Sequence, residues 1–414
     1  MIADGQGPSA HGGDNLLEEI RGYPRSFWIL FFGQLLNAIG TSLVFPFLTV
    51  YLHDTLHANL ATVGLVLLLQ GAAQVVAVSV GGLLADAWGR LPTMYVSLGA
   101  GALATLALAF TRSPVDIVLL IVLRGGLLPL FQPAAQAFVA DIVPHERLYP
   151  AFSLQRVASN AGIILGPMLG AFLLQGSFAI LFLLSGIVML AFGVIAVWAL
   201  HGQEARGGES STQSGLSLGL LRDPFLLVVT ALFALVSLAY SQLYWVVPGY
   251  LTVFLHLPAS RFGFLAAENA VLVVALQMPA VALSRSWRPE LAIAVGAALY
   301  GLGFLLMAPL RTFVPFLVPV AVITCGEVLL SPSITSLVAS RVRPEDRGKA
   351  LGLVSLANRS GSAVGPLAGG SMLTFGGPWL LFPGTAAVAG AAALGYVWLA
   401  SGRARAKPAA DLPS

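Results

Sequence analysis

Residues 160–170 read N-A-G-I-I-L-G-P-M-L-G, and residues 359–370 return in altered form as R-S-G-S-A-V-G-P-L-A-G-G. Both copies place the pattern Gly-x3-Gly-Pro-x2-Gly inside a long apolar segment. Its members lie 199 positions apart: Gly162, Gly166, Pro167 and Gly170 in the first copy, and Gly361, Gly365, Pro366 and Gly369 in the second. Small residues let membrane helices approach closely, and neighbouring helices satisfy the backbone groups that a proline frees. One copy alone is equally well explained by helix packing, but two copies in register predict a duplicated architecture.

The composition is typical of a membrane protein. Of the 414 residues, 57% are hydrophobic and 9% are charged, with a mean hydropathy of +0.87, whereas a soluble domain has roughly 25% charged residues. The net charge of +3 predicts no nucleic-acid surface. One cysteine, Cys325, excludes an internal disulfide and a cysteine metal cluster, and the six histidines have no metal-ligand spacing. Enzyme signatures are also absent from the sequence, so we expect no catalytic activity, no metal and no cofactor.

Twelve apolar segments are each long enough for a helix that crosses the hydrocarbon core, which takes about 20 residues. The sequence therefore predicts an all-α membrane protein with twelve transmembrane helices around a central cavity. The expected spans are residues 26–51, 60–85, 93–111, 116–140, 149–174, 178–200, 224–253, 261–284, 291–311, 314–339, 348–373 and 378–400.

The spans divide into two similar sets of six. Residues 48–53, L-T-V-Y-L-H, return 203 positions later as residues 251–256, L-T-V-F-L-H, whereas Gly64 and Gly263 are 199 apart. We expect this four-residue difference to be a shorter loop after His256. Sustained similarity between halves is expected of transporters built from parallel repeats. The predicted organisation is an N-terminal tail (1–25), a six-helix half (26–200), a polar linker (201–222), a second six-helix half (223–400) and a C-terminal tail (401–414).

The distribution of basic residues predicts the orientation in the membrane. If the N-terminus is cytoplasmic, three arginines face outward: Arg112, Arg261 and Arg311. Fifteen basic residues then face inward: Arg21, Arg25, Arg90, Arg147, Arg206, Arg222, Arg285, Arg288, Arg341, Arg343, Arg347, Lys349, Arg403, Arg405 and Lys407. Such an excess satisfies the positive-inside rule. We therefore expect a multi-pass protein of the inner (cytoplasmic) membrane, monomeric, with both termini in the cytoplasm.

Residues 82–90, G-L-L-A-D-A-W-G-R, end the second span and resemble the signature G-x-L-a-D-r-x-G-r-k of the major facilitator superfamily. Ala87 and Leu91 stand where that family prefers basic residues. The glycine-proline pattern also resembles the family's antiporter motif g-x-x-x-G-P-x-x-G-G, with Ala171 in place of the last glycine. This motif is typical of the twelve-span drug/proton antiporters. The signature is matched by Gly82, Leu84, Asp86, Gly89 and Arg90.

The resemblance implies alternating access, with an electrostatic latch at the cytoplasmic gate. Asp86, at a helix end, can face the positive N-terminus of another helix, a contact that contributes ~0.3–2 kcal/mol. The resemblance implies that this partner is the start of helix 11, near residues 347–350, and Arg90 is expected to pair with Asp141 or Glu146. A solvated turn is the simpler alternative. The gating residues that we predict are Gly82, Asp86, Gly89, Arg90, Asp141, Gly162, Gly166, Pro167, Gly170, Gly365 and Pro366.

Two carboxyl groups inside predicted spans are candidates for proton coupling. Glu327 lies thirteen residues into helix 10, which places it ~20 Å deep and near the membrane midplane. Apolar surroundings favour a neutral carboxyl, so such a group can exchange protons near neutral pH. Glu268, ~10 Å from the outer side of helix 8, is the second candidate. A structural role for Glu327 and a solvated position for Glu268 remain as alternatives.

Polar and aromatic residues in other spans are candidates to line a substrate cavity. An arginine inside a span should face water or a carboxylate, although Arg124 could instead extend to the membrane surface. Arg359 replaces Asn160 of the first half and could pair with an acid or an anionic substrate. A mostly apolar pocket with few polar anchors suits amphiphilic ligands. The predicted cavity residues are Gln34, Asn37, Arg124, Gln132, Tyr240, Gln242, Tyr244, Trp245 and Arg359.

The leading hypothesis is proton-coupled export of small amphiphilic compounds, with the proton gradient as driving force and the lipid bilayer as surroundings. In this scheme protons enter from outside and protonate Glu327, which favours the inward-open state. Substrate binding then favours release of the proton inside. A solute or nutrient symporter and a lysophospholipid flippase on the same fold are alternatives, as is a receptor or membrane enzyme.

Overall fold

The computed structural model describes residues 22–144, 147–174, 177–202, 222–343 and 346–402. Within these ranges the chain is helical and contains no strand. The helical segments, in chain order, are α1 (Arg25–Leu56), α2 (Leu60–Trp88), α3 (Arg90–Ala107), α4 (Pro114–Ile142), α5 (Leu148–Leu173), α6 (Phe178–Leu200), α7 (Pro224–Phe254), α8 (Arg261–Ser284), α9 (Pro289–Met307), α10 (Val314–Arg341), α11 (Arg347–Gly376) and α12 (Pro378–Ala400).

The predicted all-α class is confirmed, and most of the predicted spans have the expected character. Ten of the described segments are long and apolar enough to cross a membrane. The segments outside this group are α3 and α11. α3 has only 18 residues and begins at Arg90. α11 contains Arg347, Lys349 and Arg359 together with several glycines and serines, which lower its hydropathy.

Local chemistry explains where several helices begin. The Asn59 side chain accepts a hydrogen bond from the Thr62 amide at the start of α2, over 2.9 Å. Asp223 does the same for the first amides of α7. Such caps satisfy donors that have no partner within the helix. α2 and α3 are separated by Gly89, whose φ of +100° is a conformation that side chains rarely adopt.

The connections between helices collect at two ends of the bundle. At the basic end, the Tyr23 hydroxyl donates to the Arg147 carbonyl, Arg288 donates to the Ala400 carbonyl and Arg341 lies over the Phe225 ring. This end carries residues 22–25 and the α2–α3, α4–α5, α8–α9 and α10–α11 connections. At the other end, called the opposite end, the Tyr250 hydroxyl accepts a hydrogen bond from Arg311.

The two copies of the glycine-proline pattern pack in equivalent ways. A Cβ atom on Gly162 would lie 2.5 Å from the Ala38 Cβ, so α5 packs directly on α1. In the second copy, Gly361 lies against the backbone of Ala234, so α11 packs on α7. Each helix pair is also joined by a hydrogen bond: Ser42 donates to the Gly162 carbonyl over 2.9 Å, and Gln242 donates to the Gly365 carbonyl over 3.0 Å. Close helix packing is therefore one role of both copies.

Helix contacts close the opposite end and leave the basic end open. Near the opposite end, a side chain on Gly64 or Gly71 of α2 would overlap α11, and one on Gly370 of α11 would overlap the Leu60 carbonyl. α5 and α8 approach equally closely at Gly263. Near the basic end, by contrast, a Cβ on Gly82 of α2 would meet nothing within 4 Å, and the same holds for Gly348 and Gly352 in α11.

The expected shorter loop after His256 is wrong. His57 after α1 and His256 after α7 both adopt a left-handed conformation, with φ of 50° and 53°, and they lie 199 positions apart. The loops that follow are residues 57–59 and 255–260, so the second loop is the longer one. The helices themselves are not displaced by four residues, because α1 begins at Arg25 and α7 begins at Pro224, again 199 positions apart.

Candidate functional site

A cavity of about 910 Å³ lies between α1, α4, α5 and α11. It extends from Ser153 and Arg156, near the start of α5 at the basic end, to Phe45 in the middle of α1. This is the space that the open basic end leaves between the helices. The lining residues are Gln34, Asn37, Ala38, Thr41, Ser42, Phe45, Gln74, Leu128, Pro129, Gln132, Gln136, Phe152, Ser153, Gln155, Arg156, Ser159, Asn160, Ile163 and Arg359.

Four of the predicted cavity residues come together in this space. Gln34 Nε2 donates to Gln132 Oε1 over 3.1 Å and joins α1 to α4. The Asn37 Oδ1 atom is buried and accepts no hydrogen bond from the described residues. Arg359 reaches the same cavity from α11. The wall is therefore rich in amide groups, which can donate and accept hydrogen bonds with a bound molecule.

The other predicted cavity residues lie outside it. Arg124 is only 3% exposed, so it does not extend to the membrane surface. Its Nη2 donates to the Thr41 carbonyl over 3.4 Å, and its Nε atom has no hydrogen-bond partner among the described residues. Gln242 is buried between α7 and α11, where it ties the helices together. Three aromatic residues of α7 occupy a second region: Tyr240, Tyr244 and Trp245.

Glu327 belongs to a hydrogen-bond network centred on Asn269. Asn269 lies on α8 and is only 5% exposed. Its Nδ2 atom donates to Glu327 Oε2 and to Thr324 Oγ1, each over 2.9 Å, and its Oδ1 atom accepts from the Tyr244 hydroxyl over 2.9 Å. Thr324 donates its own proton to the Val320 carbonyl. The network joins α7, α8 and α10, and it fixes the Asn269 amide so that an N–H faces the carboxylate.

Tyrosine rings surround this carboxyl group. Tyr240 stacks on Tyr300 with ring centroids 5.3 Å apart, and it lies 5.7 Å from Tyr244. Tyr240 also lies within hydrogen-bonding reach of Glu327. No arginine or lysine of the described residues forms an ion pair with Glu327. A carboxyl group in this setting has amide and hydroxyl donors but no fixed counter-charge, so no neighbouring cation holds it in the ionised form.

Glu268 precedes Asn269 but takes no part in this network. Its Oε2 atom is buried and has no hydrogen-bond partner among the described residues. The side chain is partly exposed. Glu268 is thus a second intramembrane carboxyl without a fixed partner, and both predicted coupling acids occupy the same pair of neighbouring helices, α8 and α10.

An aromatic seal, formed by Phe45, Tyr244 and Trp245, separates the cavity from the opposite end. Phe45 of α1 lines the cavity and contacts Trp245 of α7 with ring centroids 4.1 Å apart. Phe45 also lies 6.2 Å from Tyr244. One turn further along α1, Thr49 donates a hydrogen bond to the Trp245 carbonyl over 2.6 Å. The seal therefore touches both the cavity and the Glu327 network.

The charged residues at the basic end form a local cluster. Arg90 pairs with Asp86 and with Asp141, the latter over 3.4 Å, as expected for Asp141. Glu146, the other expected partner, lies outside the described residues. Asp86 is 40% exposed, and among the described residues it forms no ion pair or hydrogen bond with α11. In this conformation the predicted contact between Asp86 and the start of α11 is not made.

Sequence reasoning did not assign roles to several residues of these sites. Asn269 could have been recognised as an amide inside a predicted span. Thr324 could have been recognised as a neighbour of Glu327, because residues three apart lie on the same helix face. Phe45 and Tyr300 carry no such signal, because aromatic residues in apolar helices are usually packing residues. Gln74 was not singled out either.

Comparison with known proteins places the chain among transporters. The family model described as Major Facilitator Superfamily matches residues 30–343 and 250–413. The uncharacterized MFS-type transporter YttB of Bacillus subtilis is 28% identical over 84% of this chain and 89% of its own. A Na⁺, Li⁺, K⁺/H⁺ antiporter of Planococcus maritimus is 25% identical over 87% and 92%. The multidrug resistance protein MdtH of Klebsiella pneumoniae is 24% identical over 86% and 90%.

Solved structures show the same fold. The nucleoside transporter NupG superposes with a TM-score of 0.78, covering 93% of this chain and 100% of NupG at 14% sequence identity. A peptide transporter POT bound to sulfate superposes with a TM-score of 0.75, covering 92% and 95% at 16% identity. At these identities the likeness concerns the fold alone.

Proposed function

Since this chain belongs to the Major Facilitator Superfamily, we propose that it is a proton-coupled transporter that exports hydrophobic or amphiphilic compounds by alternating access. The observation that supports this most is the position of Glu327. It lies within an apolar bundle, accepts a hydrogen bond from Asn269 and has no basic partner among the described residues. The relatives that are described as an antiporter and as a multidrug resistance protein favour the same function.

The proposed architecture has twelve spans, α1–α12, in two pseudo-symmetric six-helix halves joined by the 201–222 linker. The equivalent packing of α5 on α1 and of α11 on α7 supports the duplication. α3 and α11 are included as spans because each is an integral part of the bundle. The excess of basic residues at one end supports a cytoplasmic position for that end, for both termini and for the linker, in the inner membrane.

The proposed cycle uses the two sites in turn. In the conformation described above, the substrate cavity is open at the basic end and the seal is closed. An ionised carboxylate at the membrane midplane costs at least ~2.5–3.5 kcal/mol unless water or a partner stabilises it. Protonation of Glu327 from outside therefore favours this closed-seal state. Substrate entry and loss of the proton on the cytoplasmic side favour the return to the outward-open state.

Transport in inverted membrane vesicles tests the function directly. With an inside-acid pH gradient, vesicles that contain the protein should accumulate an amphiphilic dye, and dissipation of the gradient by a protonophore should abolish the accumulation. Vesicles without the protein are the control. Equal accumulation with and without the gradient would contradict proton coupling. Accumulation in right-side-out vesicles instead would indicate an importing symporter, which the amide-rich cavity wall also suits.

Topology can be tested at the linker. In a Cys325→Ser background, a cysteine introduced at Ser211 should react with a membrane-impermeant maleimide only after the cells are opened, because the linker is expected in the cytoplasm. Arg112→Cys is the matched control at the opposite end, and it should react in intact cells. Labelling of the Ser211 position from outside would show that the orientation is inverted.

The charge cluster at the basic end should control closure of that end. Asp86→Asn removes the carboxylate that is expected to face the start of α11 when the basic end closes, a contact of ~0.3–2 kcal/mol. We expect slower transport and a larger share of molecules open at the basic end, with unchanged thermal stability. Glu290→Gln, near the same end, is the control. Unchanged transport and unchanged cysteine accessibility in Asp86→Asn would show that Asp86 belongs to a solvated turn only.

A further inference from the structure

The charged residues that line the cavity are all basic. Its lining includes two arginines, Arg156 and Arg359, and no aspartate or glutamate. The intramembrane acid Glu327 does not line it and is held on α10 by Asn269. Within the described part of the chain, a molecule in this cavity is therefore exposed to positive charge, although the protein is close to neutral overall.

Of the two arginines that line the cavity, Arg359 is the more buried. It is half-buried in the wall of the cavity, and no carboxylate of the described residues forms an ion pair with it. A guanidinium group inside a membrane is stabilised by water, by an opposite charge or by backbone carbonyls. Its planar arrangement of N–H groups fits the two oxygens of a carboxylate, sulfonate or phosphate. Asn160, its counterpart 199 residues earlier, lines the same cavity and adds an amide donor.

The remaining walls suit an apolar body. Phe45, Leu128, Phe152 and Ile163 line the cavity between the amide groups. Amides can donate to an anion as well as accept from a neutral ligand, and a joined pair such as Gln34 and Gln132 still has free N–H and C=O positions. A lipophilic cation would find apolar contact here but no carboxylate.

We propose that this cavity selects amphiphilic anions, with Arg359 binding the anionic group and the apolar residues binding the body. The proposal rests on the proposed export function only in taking this cavity as the substrate site. Both a drug-like anion and a lysophospholipid headgroup present the required chemistry. Arg156, which is exposed nearer the basic end, meets the anion first as it enters.

The test is equilibrium binding to the full-length protein in nanodiscs, with empty nanodiscs to correct for partition into lipid. The probes are 8-anilino-1-naphthalenesulfonate and N-phenyl-1-naphthylamine, which share their rings and differ in the sulfonate. A sulfonate remains charged at every usable pH, so the result does not depend on the protonation of Glu327. We expect the sulfonate to bind more tightly than the neutral amine. Tighter binding of the neutral amine, or of the cation rhodamine 6G, would overturn the proposal.

Variants of Arg359 test whether this residue binds the anionic group. Arg359→Gln should weaken sulfonate binding ~10- to 100-fold, the loss expected for a hydrogen bond to a charged group, and should leave the neutral amine unchanged. Arg359→Lys should restore most of the affinity, and Arg112→Gln, which removes an exposed arginine at the opposite end, should have no effect. Equal loss of both probes in Arg359→Gln would mean that Arg359 is structural and would overturn the assignment.

Competition distinguishes the sources of the anion. Lysophosphatidic acid that displaces the sulfonate from the wild-type protein at a concentration below that of the sulfonate would indicate a phospholipid substrate, and preference for the sulfonate would indicate a drug-like one. Failure of both anions to bind the wild-type protein would overturn the proposal. Because these measurements use no pH gradient, they are independent of proton coupling, which the vesicle experiment tests separately.

Discussion

Glu327→Gln is expected to abolish transport that is driven by a pH gradient while leaving substrate binding intact. The amide is neutral at every pH, so it imitates the protonated carboxyl permanently and cannot release a proton. Its oxygen can still accept the hydrogen bond from Asn269 Nδ2, so the α8–α10 contact survives. Since the cavity does not include Glu327, the affinity for substrate should change little.

The size of the effect follows from linkage between protonation and conformation. A proton couples two conformations only if its affinity differs between them, and a tenfold difference in affinity corresponds to ~1.4 kcal/mol. Coupling energies between linked sites are typically ~1–3 kcal/mol. A group that cannot titrate supplies none of this, so uptake into inverted vesicles should fall to the level seen without a gradient. Uptake and equilibrium binding should be measured side by side on the same preparation.

Two matched variants locate the coupling group. Glu327→Asp should keep partial activity, because the titrating group remains with a shorter reach. Glu268→Gln removes the neighbouring carboxyl, whose buried oxygen has no hydrogen-bond partner among the described residues. If Glu327→Gln transports at the wild-type rate with the same pH dependence while Glu268→Gln does not, the coupling carboxylate is Glu268 and Glu327 is structural.

Adding a methyl group at the opposite end, where α2 and α11 are in contact, should change the ratio of two states. One state is open at the basic end and the other is open at the opposite end. Gly64→Ala and Gly370→Ala each place a Cβ atom against backbone atoms of the facing helix, on α11 and α2 respectively. Overpacking of this kind costs ~1–3 kcal/mol. The cost applies only while α2 and α11 are in contact at the opposite end, so the ratio of the two states should change ~5- to 150-fold towards the state in which that end is open.

The shift can be read from cysteine accessibility. Thr41 lines the cavity on the basic-end side of the aromatic seal. A cysteine at this position should react with a reagent added at the opposite end only when the seal opens. In a Cys325→Ser background, the rate should rise in Gly64→Ala and Gly370→Ala. Gly99→Ala in α3 is the matched control, because its Cβ would meet nothing within 4 Å. Equal rates in all variants would show that the contact is not specific to one state.

The sequence predicted the class of fold well because the signals were long and repeated. The apolar segments extend over whole helices and the glycine-proline pattern occurs twice, and the helices lie at the predicted positions within a few residues. The error after His256 had a physical cause. Matching letters aligned residues 48–53 with 251–256, whereas the backbone aligns the left-handed His57 with His256. The six-letter match is therefore out of register with the backbone, which keeps a displacement of 199 from Arg25 and Pro224 to the two histidines.

The sites were only partly predictable. Gln34, Gln132 and Arg359 could be selected because polar residues in spans are rare, and all three line the cavity. The same reasoning selected Gln242 and Arg124, which are buried between helices instead. Sequence cannot separate these cases, because the direction of a side chain depends on how each helix is rotated within the bundle. Asn269 is the clearest example, since its importance comes from three partners on two other helices.

The aromatic seal and the Glu327 network are joined by one peptide bond, between Tyr244 and Trp245. Trp245 accepts the Thr49 hydrogen bond at the seal, and Tyr244, the preceding residue, donates to Asn269. Pro248 has no N–H to donate to the Tyr244 carbonyl, so α7 lacks one backbone hydrogen bond at this point. A small rotation of these two residues that parts Phe45 from Trp245 would also withdraw the Tyr244 hydroxyl from Asn269. By reciprocity, the factor by which such a rotation changes the proton affinity of Glu327 equals the factor by which protonation changes the chance of the rotation.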